Sequence, residues 1–180
     1  MPKIAEIEST PNPNAIKFVL KEPLTFGVKR SYDSAAAAAN DPLAATLFGF
    51  PHVTNVFYVD HWVTVTQDGA ASWPELLKQL AVPIRAAQPA SAQTAEFQSA
   101  PPSIIEDPRL AAISALIDEH IRPYLMSDGG DLQLLELDGN LLKVRYHGAC
   151  GTCPSSLAGT LSAIENLVHS IEPDIEVVAE

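Results

Sequence analysis

Cys150 and Cys153, in the run Gly148-Ala149-Cys150-Gly151-Thr152-Cys153-Pro154-Ser155-Ser156, are the two cysteines of the 180-residue chain and the place where chemistry can concentrate. Two thiols at this spacing on a turn converge either on one metal centre or on each other. The run follows a strand-like stretch, Leu141 to Tyr146, and precedes a helical stripe of Leu157, Leu161, Ile164 and Val168. Both sulfurs are therefore expected at a helix N-terminus, where free N–H groups and the helix dipole favour thiolate over thiol. Gly148 and Gly151 let the backbone turn tightly and bring amides close to bound sulfur.

Three functions suit that geometry. An iron-sulfur cluster needs four ligands, so two chains about a two-fold axis would each supply Cys150 and Cys153. Held between subunits near a surface turn, such a cluster is exposed and labile, which suits delivery better than electron transfer. A dithiol-disulfide oxidoreductase also places CxxC at a helix start. It needs a substantial strand-containing segment with a cis-proline after that helix, however, and 27 residues follow Cys153. A zinc clip of four thiolates from two chains is the third possibility, although it gives no reason for a flexible linker. The plain alternative is two small buried cysteines.

The elements that must position the pair follow from periodicity. Asp107-Pro108 supplies an N-cap and first turn for a helix carrying Leu110, Ile113, Ile117 and Ile121, with Leu116 and Tyr124 beside them, and Pro123 bends or stops it. Asp128-Gly129-Gly130-Asp131 is a sharp loop. Leu132 to Leu137 and Leu141 to Tyr146 flank the hairpin signal Asp138-Gly139-Asn140. After the cysteines and their helix, Pro173 leads into a last strand over Ile175 to Val178, giving the order α-β-β-α-β. Asp128 and Asp131 are expected to set the Gly-Gly turn rather than to bind metal. His120 and His147 are expected at surface positions.

Residues 88 to 107 are read as a flexible linker, rich in Pro, Ala, Ser and Gln over most of their length. Its part over 88–103 spans about 20 to 25 Å root-mean-square. The linker separates a domain over 1–87 from one over 108–180. The first opens on the turn Thr10-Pro11-Asn12-Pro13-Asn14 and a strand with Ile16, Phe18 and Leu20. Short helices are expected over Ser34 to Asn40 and Leu43 to Phe48, and a hairpin of residues 53 to 59 and 62 to 66 about Asp60-His61. A helix is expected from Ser72, whose capping box is completed by Glu75. The fold class is α+β, two small α+β domains joined by a flexible linker. His52 and His61 are read as structural.

Acidic residues number 22 against 11 Lys and Arg, a formal charge of −11, divided as −1 over 1–87, −3 over 88–107 and −7 over 108–180. That excess argues against a nucleic acid or an anionic membrane as partner, since both demand a cationic face. No apolar run approaches the roughly 18 residues of a membrane span. Two cysteines are too few for a disulfide scaffold, so a reducing cytosol is expected, or an organellar matrix had a leader been removed. With no Ser-His-Asp set, paired carboxylates or phosphate loop, the chain is read as not an enzyme, dithiol redox chemistry being the alternative.

The motifs in this order resemble a family. Asp128-Gly-Gly-Asp131, the strands around Asp138-Gly139 and the Gly148 to Ser156 run are similar to the NifU C-terminal domain. Thr10-Pro-Asn-Pro-Asn14-Ala15-Ile16-Lys17-Phe18, Asp41-Pro-Leu-Ala44 with Leu47-Phe48, and Val56-Phe57 leading to Val63-Thr-Val-Thr66 resemble the Nfu N-terminal domain. The resemblance implies an Nfu-type protein that assembles or carries iron-sulfur clusters and passes them to apo-proteins. It implies a homodimer bridged by a [4Fe-4S] cluster, with Cys150 and Cys153 of each chain as ligands. Upstream cluster donors and apo iron-sulfur clients are the implied partners.

Overall fold

The computed structural model describes residues 2–89, 108–151 and 154–180, with the side chains of 154–158 excepted. They fall into two compact units, one within Met1–Phe97 and one within Gln98–Glu180. Both mix helices with a sheet, as the α+β class requires. Most of the segment read as a linker, residues 90–107, lies outside the described residues, as does the expected N-cap Asp107.

In the first unit, strands β1 (Ile4–Ser9), β2 (Ala15–Leu20), β3 (Arg30–Tyr32), β4 (Val53–Val59) and β5 (Trp62–Gln67) pair antiparallel in the order β1-β2-β5-β4-β3. Alternation puts Phe18, Leu20, Val56, Tyr58, Val63 and Val65 on one face. There they pack with helix α1 (Pro42–Phe48) through Ala44 and Leu47, and with helix α2 (Trp73–Ala86) through Leu76, Leu80 and Ile84. Strand β1 was not legible because a register shift between Ile4 and Glu6 breaks its two-residue period and most of it is exposed.

Two local expectations are corrected. Residues 34–40 form overlapping turns rather than a helix. Of the alanines at 35–39 only Ala38 is buried, too little packing to offset helix nucleation over so short a run. Ser72 does stand at the N-cap of α2, but its hydroxyl makes no capping bond. Its carbonyl instead accepts from the N–H groups of Glu75 and Leu76 at 3.2 and 3.0 Å.

Asp41 ties this unit together. One carboxylate oxygen accepts from the Ala44 N–H at 2.9 Å and so caps α1. The other accepts from Arg30 Nη1 at 2.8 Å, from the Tyr32 hydroxyl at 2.9 Å and from the Tyr58 hydroxyl. The group joins β3, β4 and α1 although Asp41 is buried. Burial raises its pKa, but the bonds from Ala44, Tyr58, Tyr32 and Arg30 outweigh this and hold it below the ordinary carboxylate value. Burial and the same carboxylate push Tyr32 up to about 12.

In the second unit, α3 (Pro108–His120) stops at Ile121 and α4 (Arg122–Ser127) begins one residue later. Pro123, which has no N–H, lies in the first turn of α4. The break changes which side faces inward. Leu110, Ile113, Ile117 and Leu125 enter the core, whereas Tyr124, expected beside that stripe, is 73% exposed. Strands β6 (Gly130–Asp138) and β7 (Leu141–Gly148) pair antiparallel through a two-residue loop with Gly139 at φ +61°. Helix α5 (Pro154–His169) returns the chain so that β8 (Glu176–Ala179) lies parallel to β7. The observed order is α-α-β-β-α-β, the single expected first helix being two.

Replacing Asp41 by Ala is expected to destabilise the first unit by about 3 kcal/mol, because Arg30 is left buried beside two phenols without its carboxylate. Denaturation followed by the fluorescence of Trp62 and Trp73, both in that unit, measures it. Since the folded pKa lies below the unfolded one, the carboxylate's contribution is present above about pH 4 and is lost as the pH falls toward the folded value. The penalty of the substitution should therefore shrink between about pH 7 and about pH 3.

Candidate functional site

The loop that reaches the cysteine turn is fixed by an ion pair. Asp131, at the start of β6, is 1% exposed. Its carboxylate accepts from Arg122 Nη1 and from the Leu132 N–H at 2.8 Å, while Arg122 also donates to Asp118 at 2.6 Å and to the Leu132 carbonyl at 3.0 Å. The α3–α4 break is thereby bound to the first residues of β6. Between them Asp128 closes α4, its N–H on the Tyr124 carbonyl at 2.9 Å, and Gly129 takes a positive φ of +79°. The Asp131 carboxylate thus helps to fix the Gly-Gly loop, as expected, but as the buried partner of a guanidinium, while Asp128 closes α4 through its backbone N–H.

Cys150 lies across the sheet from that loop. Gly148 ends β7 opposite Gly130 and turns at φ +67° into a 3-10 turn over Ala149–Gly151, and the Ala149 N–H bonds the Gly129 carbonyl at 3.2 Å. Cys150 is 6% exposed. Its sulfur rests where Gly130 has no side chain: a Cβ there would stand 2.6 Å from Sγ and 2.7 Å from the His147 carbonyl oxygen. At Gly151 a Cβ would lie 3.2 Å from the Tyr146 carbonyl oxygen, so the turn folds down onto Tyr146. Gly148 and Gly151 therefore allow the tight turn expected of them, and Gly130 adds a seat for the thiol that turn chemistry alone does not reveal.

Cys153, the second candidate ligand, lies outside the described residues; helix α5 begins at the next position, Pro154. A cysteine sulfur seated on the turn after β7 is, as thiolate, a soft donor of the kind an iron-sulfur cluster takes. Among the described residues no group of three or more His, Cys, Asp or Glu is placed to hold a metal ion. His147 is half-buried, 3.2 Å from Gln133 Oε1, and His120 is exposed on α3. His52 pairs with Asp68 at 3.0 Å and His61 contacts the Leu20 carbonyl at 3.2 Å, both structural as expected. No described helix is long and apolar enough to cross a membrane.

Sequence reasoning missed two features. Tyr146, on β7, belongs to the same buried cluster as Cys150, and among the described residues its hydroxyl has no hydrogen-bond partner. Burial first, and then the proximity of a Cys150 thiolate, raise its phenol above the ordinary value. The first unit also holds a cleft of about 970 Å³, walled by Leu43, Phe50, Val82 and Pro83 with Arg30, Asp41 and Tyr58 at its lining.

Comparison with known proteins places these features in context. Residues 4–88 match the family described as scaffold protein Nfu/NifU N terminal, and residues 113–178 match the NifU-like domain. The chain is 30% identical to the mitochondrial NFU1 iron-sulfur cluster scaffold homolog of Homo sapiens, over 97% of this chain and 70% of that protein. It is 30% identical to the protein of the same name from Drosophila willistoni, over 97% of this chain but 62% of that one. The chain thus spans about two thirds of the length of these relatives. Among solved structures it is similar to protein SAV1430 of Staphylococcus aureus, with 22% identity and a TM-score of 0.41 over 46% of this chain and 98% of that one. Two domain matches in the same order as the sequence motifs, and 30% identity to the human scaffold homolog over 97% of this chain, show that the chain belongs to the Nfu/NifU family of scaffold proteins.

Proposed function

We propose that the chain is a non-enzymatic iron-sulfur cluster scaffold and carrier that passes its cargo to apo-proteins. The observation that carries this reading is the Cys150 sulfur, seated on the bare backbone of Gly130 in the 3-10 turn Ala149–Gly151 that precedes α5 in the chain. Cys150 and Cys153 of two protomers supply four thiolates to one [4Fe-4S] cargo, and the cluster itself bridges the homodimer. Upstream donors load it, and ligand exchange with a client's cysteines removes it. Domains over 1–87 and 108–180 divide the work: the second presents the cargo while the first engages clients, with 88–107 as tether. A reducing compartment, cytosol or organellar matrix, keeps the thiols available.

Cys150 is only 6% exposed, so its sulfur must move outward to share a ligand sphere with a second chain. The turn that carries it is hinged on Gly148, already at positive φ, and Gly151. The backbone there needs no thiol to hold its shape, so loss of a ligand and loss of fold are separable.

Anaerobic reconstitution with iron and sulfide, read as iron and sulfide per chain together with solution mass, tests the proposal. The expected result is about four iron and four sulfide per dimer, the complement of one cubane. Cys150→Ala and Cys153→Ala should each lose the cargo while unfolding within about 1 kcal/mol of the native chain. A reversible intramolecular disulfide without cluster uptake would instead favour dithiol redox chemistry. Gly130→Ala should behave differently from both, lowering thermal stability by about 2 kcal/mol as well as cluster retention, since its methyl group meets a backbone carbonyl as well as the sulfur.

A further inference from the structure

The cleft of the first unit is walled by apolar side chains, and the charges at its lining are already matched to one another. Asp41 engages the Ala44 N–H with one carboxylate oxygen and Arg30, Tyr32 and Tyr58 with the other. Apart from Arg30 and Asp41 no lining residue is charged, although the whole chain carries −11. An ionic ligand would lose its hydration there against an ion pair that is complete without it, so charge complementarity selects an uncharged occupant. The walls supply apolar contact: Val82, on α2, is 66% exposed, and Leu43, Phe50 and Pro83 line the same cleft. Pro83 stands inside α2 and has no N–H, so the carbonyl of Gln79, also at the lining, lacks its helical donor.

An aromatic side chain is held out in water next to this cleft. Phe26 is 70% exposed on the loop between Leu24 and Arg30, both of which line the cleft. The loop is tied on either side of it to Asp60. The Gly27 N–H donates to the Asp60 carboxylate at 2.6 Å, the Asp60 N–H donates to the Thr25 hydroxyl at 2.6 Å, and the Leu24 N–H donates to the Asp60 carbonyl at 2.7 Å. Thr25 and Leu24 are buried, so the backbone that carries Phe26 is already ordered and little more is lost when a partner covers the ring. A small molecule confined to the cleft would leave Phe26 in water, whereas a peptide crossing the cleft covers both.

We propose that the cleft and Phe26 form one docking surface for an uncharged, apolar peptide segment of a client protein. The inference deepens the reading in which the first unit engages clients, and rests on it. Apolar side chains of the segment pack against Val82 and Phe50, one of its backbone N–H groups donates to the Gln79 carbonyl, and Phe26 anchors its flank.

The test selects random peptides of about twelve residues, displayed on phage, against the full chain under reducing conditions without iron. Enriched peptides should be apolar and free of net charge. Synthesised and titrated against purified variants, they should bind roughly tenfold or more weakly to Val82→Glu and to Phe26→Ser, and unchanged to Ile7→Glu, an exposed position away from the cleft. All three positions are exposed, and equal melting temperatures would show that the fold is kept. No enrichment, enrichment of charged peptides, or equal binding by the cleft variants would overturn the inference. Enrichment confined to a Phe97→Ser chain would overturn it in favour of the chain's own segment as occupant, and an iron-free dimer dissociated by Val82→Glu in favour of a second copy. Cluster uptake is read separately: its failure removes the carrier reading whatever peptides bind, and failure of the selection with uptake intact removes this inference alone.

Discussion

A missing side chain at Gly130 is the constraint around which the second unit is arranged. Every other residue type would put a carbon 2.6 Å from the Cys150 sulfur and 2.7 Å from a carbonyl of the neighbouring strand. To keep that gap aligned with the thiol, the ladder between β6 and β7 must hold its register to the last pair, Gly130 opposite Gly148. Register at a strand end is vulnerable to fraying. Here it is secured by Asp131, whose carboxylate is locked to Arg122 across the α3–α4 break. The kink at Pro123 is thus part of the site, because it brings the guanidinium to the strand.

The two units use the same physical device for different ends. Each buries one carboxylate against an arginine, Asp41 with Arg30 and Asp131 with Arg122. Desolvating such pairs contributes little net stability, and hydrophobic replacements often do as well. What they provide is geometry, since neither carboxylate is tolerated in any other arrangement. In the first unit the geometry caps a short helix and fixes an edge strand. In the second it fixes the loop beneath the thiol.

Much of this was legible from residue types. The alternations that became β2, β4, β5, β6 and β7, the stripes of α2, α3 and α5, and the glycine-bearing turn at Cys150 are all local signals, and local periodicity reports them. What escaped depends on partners distant in the chain. The strand Ile4–Ser9 is defined by pairing with β2 and interrupted by a register shift. The Ala35 to Ala39 run has helix propensity but almost nothing to pack against. Tyr124 follows the apolar spacing of α3 and yet faces outward, because the break at Ile121 rotates α4 relative to α3. At the site, Gly130 reads as a turn residue until the opposite strand is placed, and Tyr146 reads as one more apolar strand position until its hydroxyl is found buried with no partner among the described residues.

Charge bears on the proposed carrier reading. Residues 108–180 have a net charge of −7, and on the proposed reading a cluster held by four thiolates would add further negative charge at the joint between two copies. Two such units repel one another over a Debye length of about 8 Å at physiological ionic strength. On that reading, iron–sulfur bonds across the joint would have to overcome that repulsion while the cargo is present. Once the cargo leaves, the repulsion remains and the bridging bonds do not. On the proposed reading the dimer therefore lasts about as long as its cargo, and separation after delivery requires no further device.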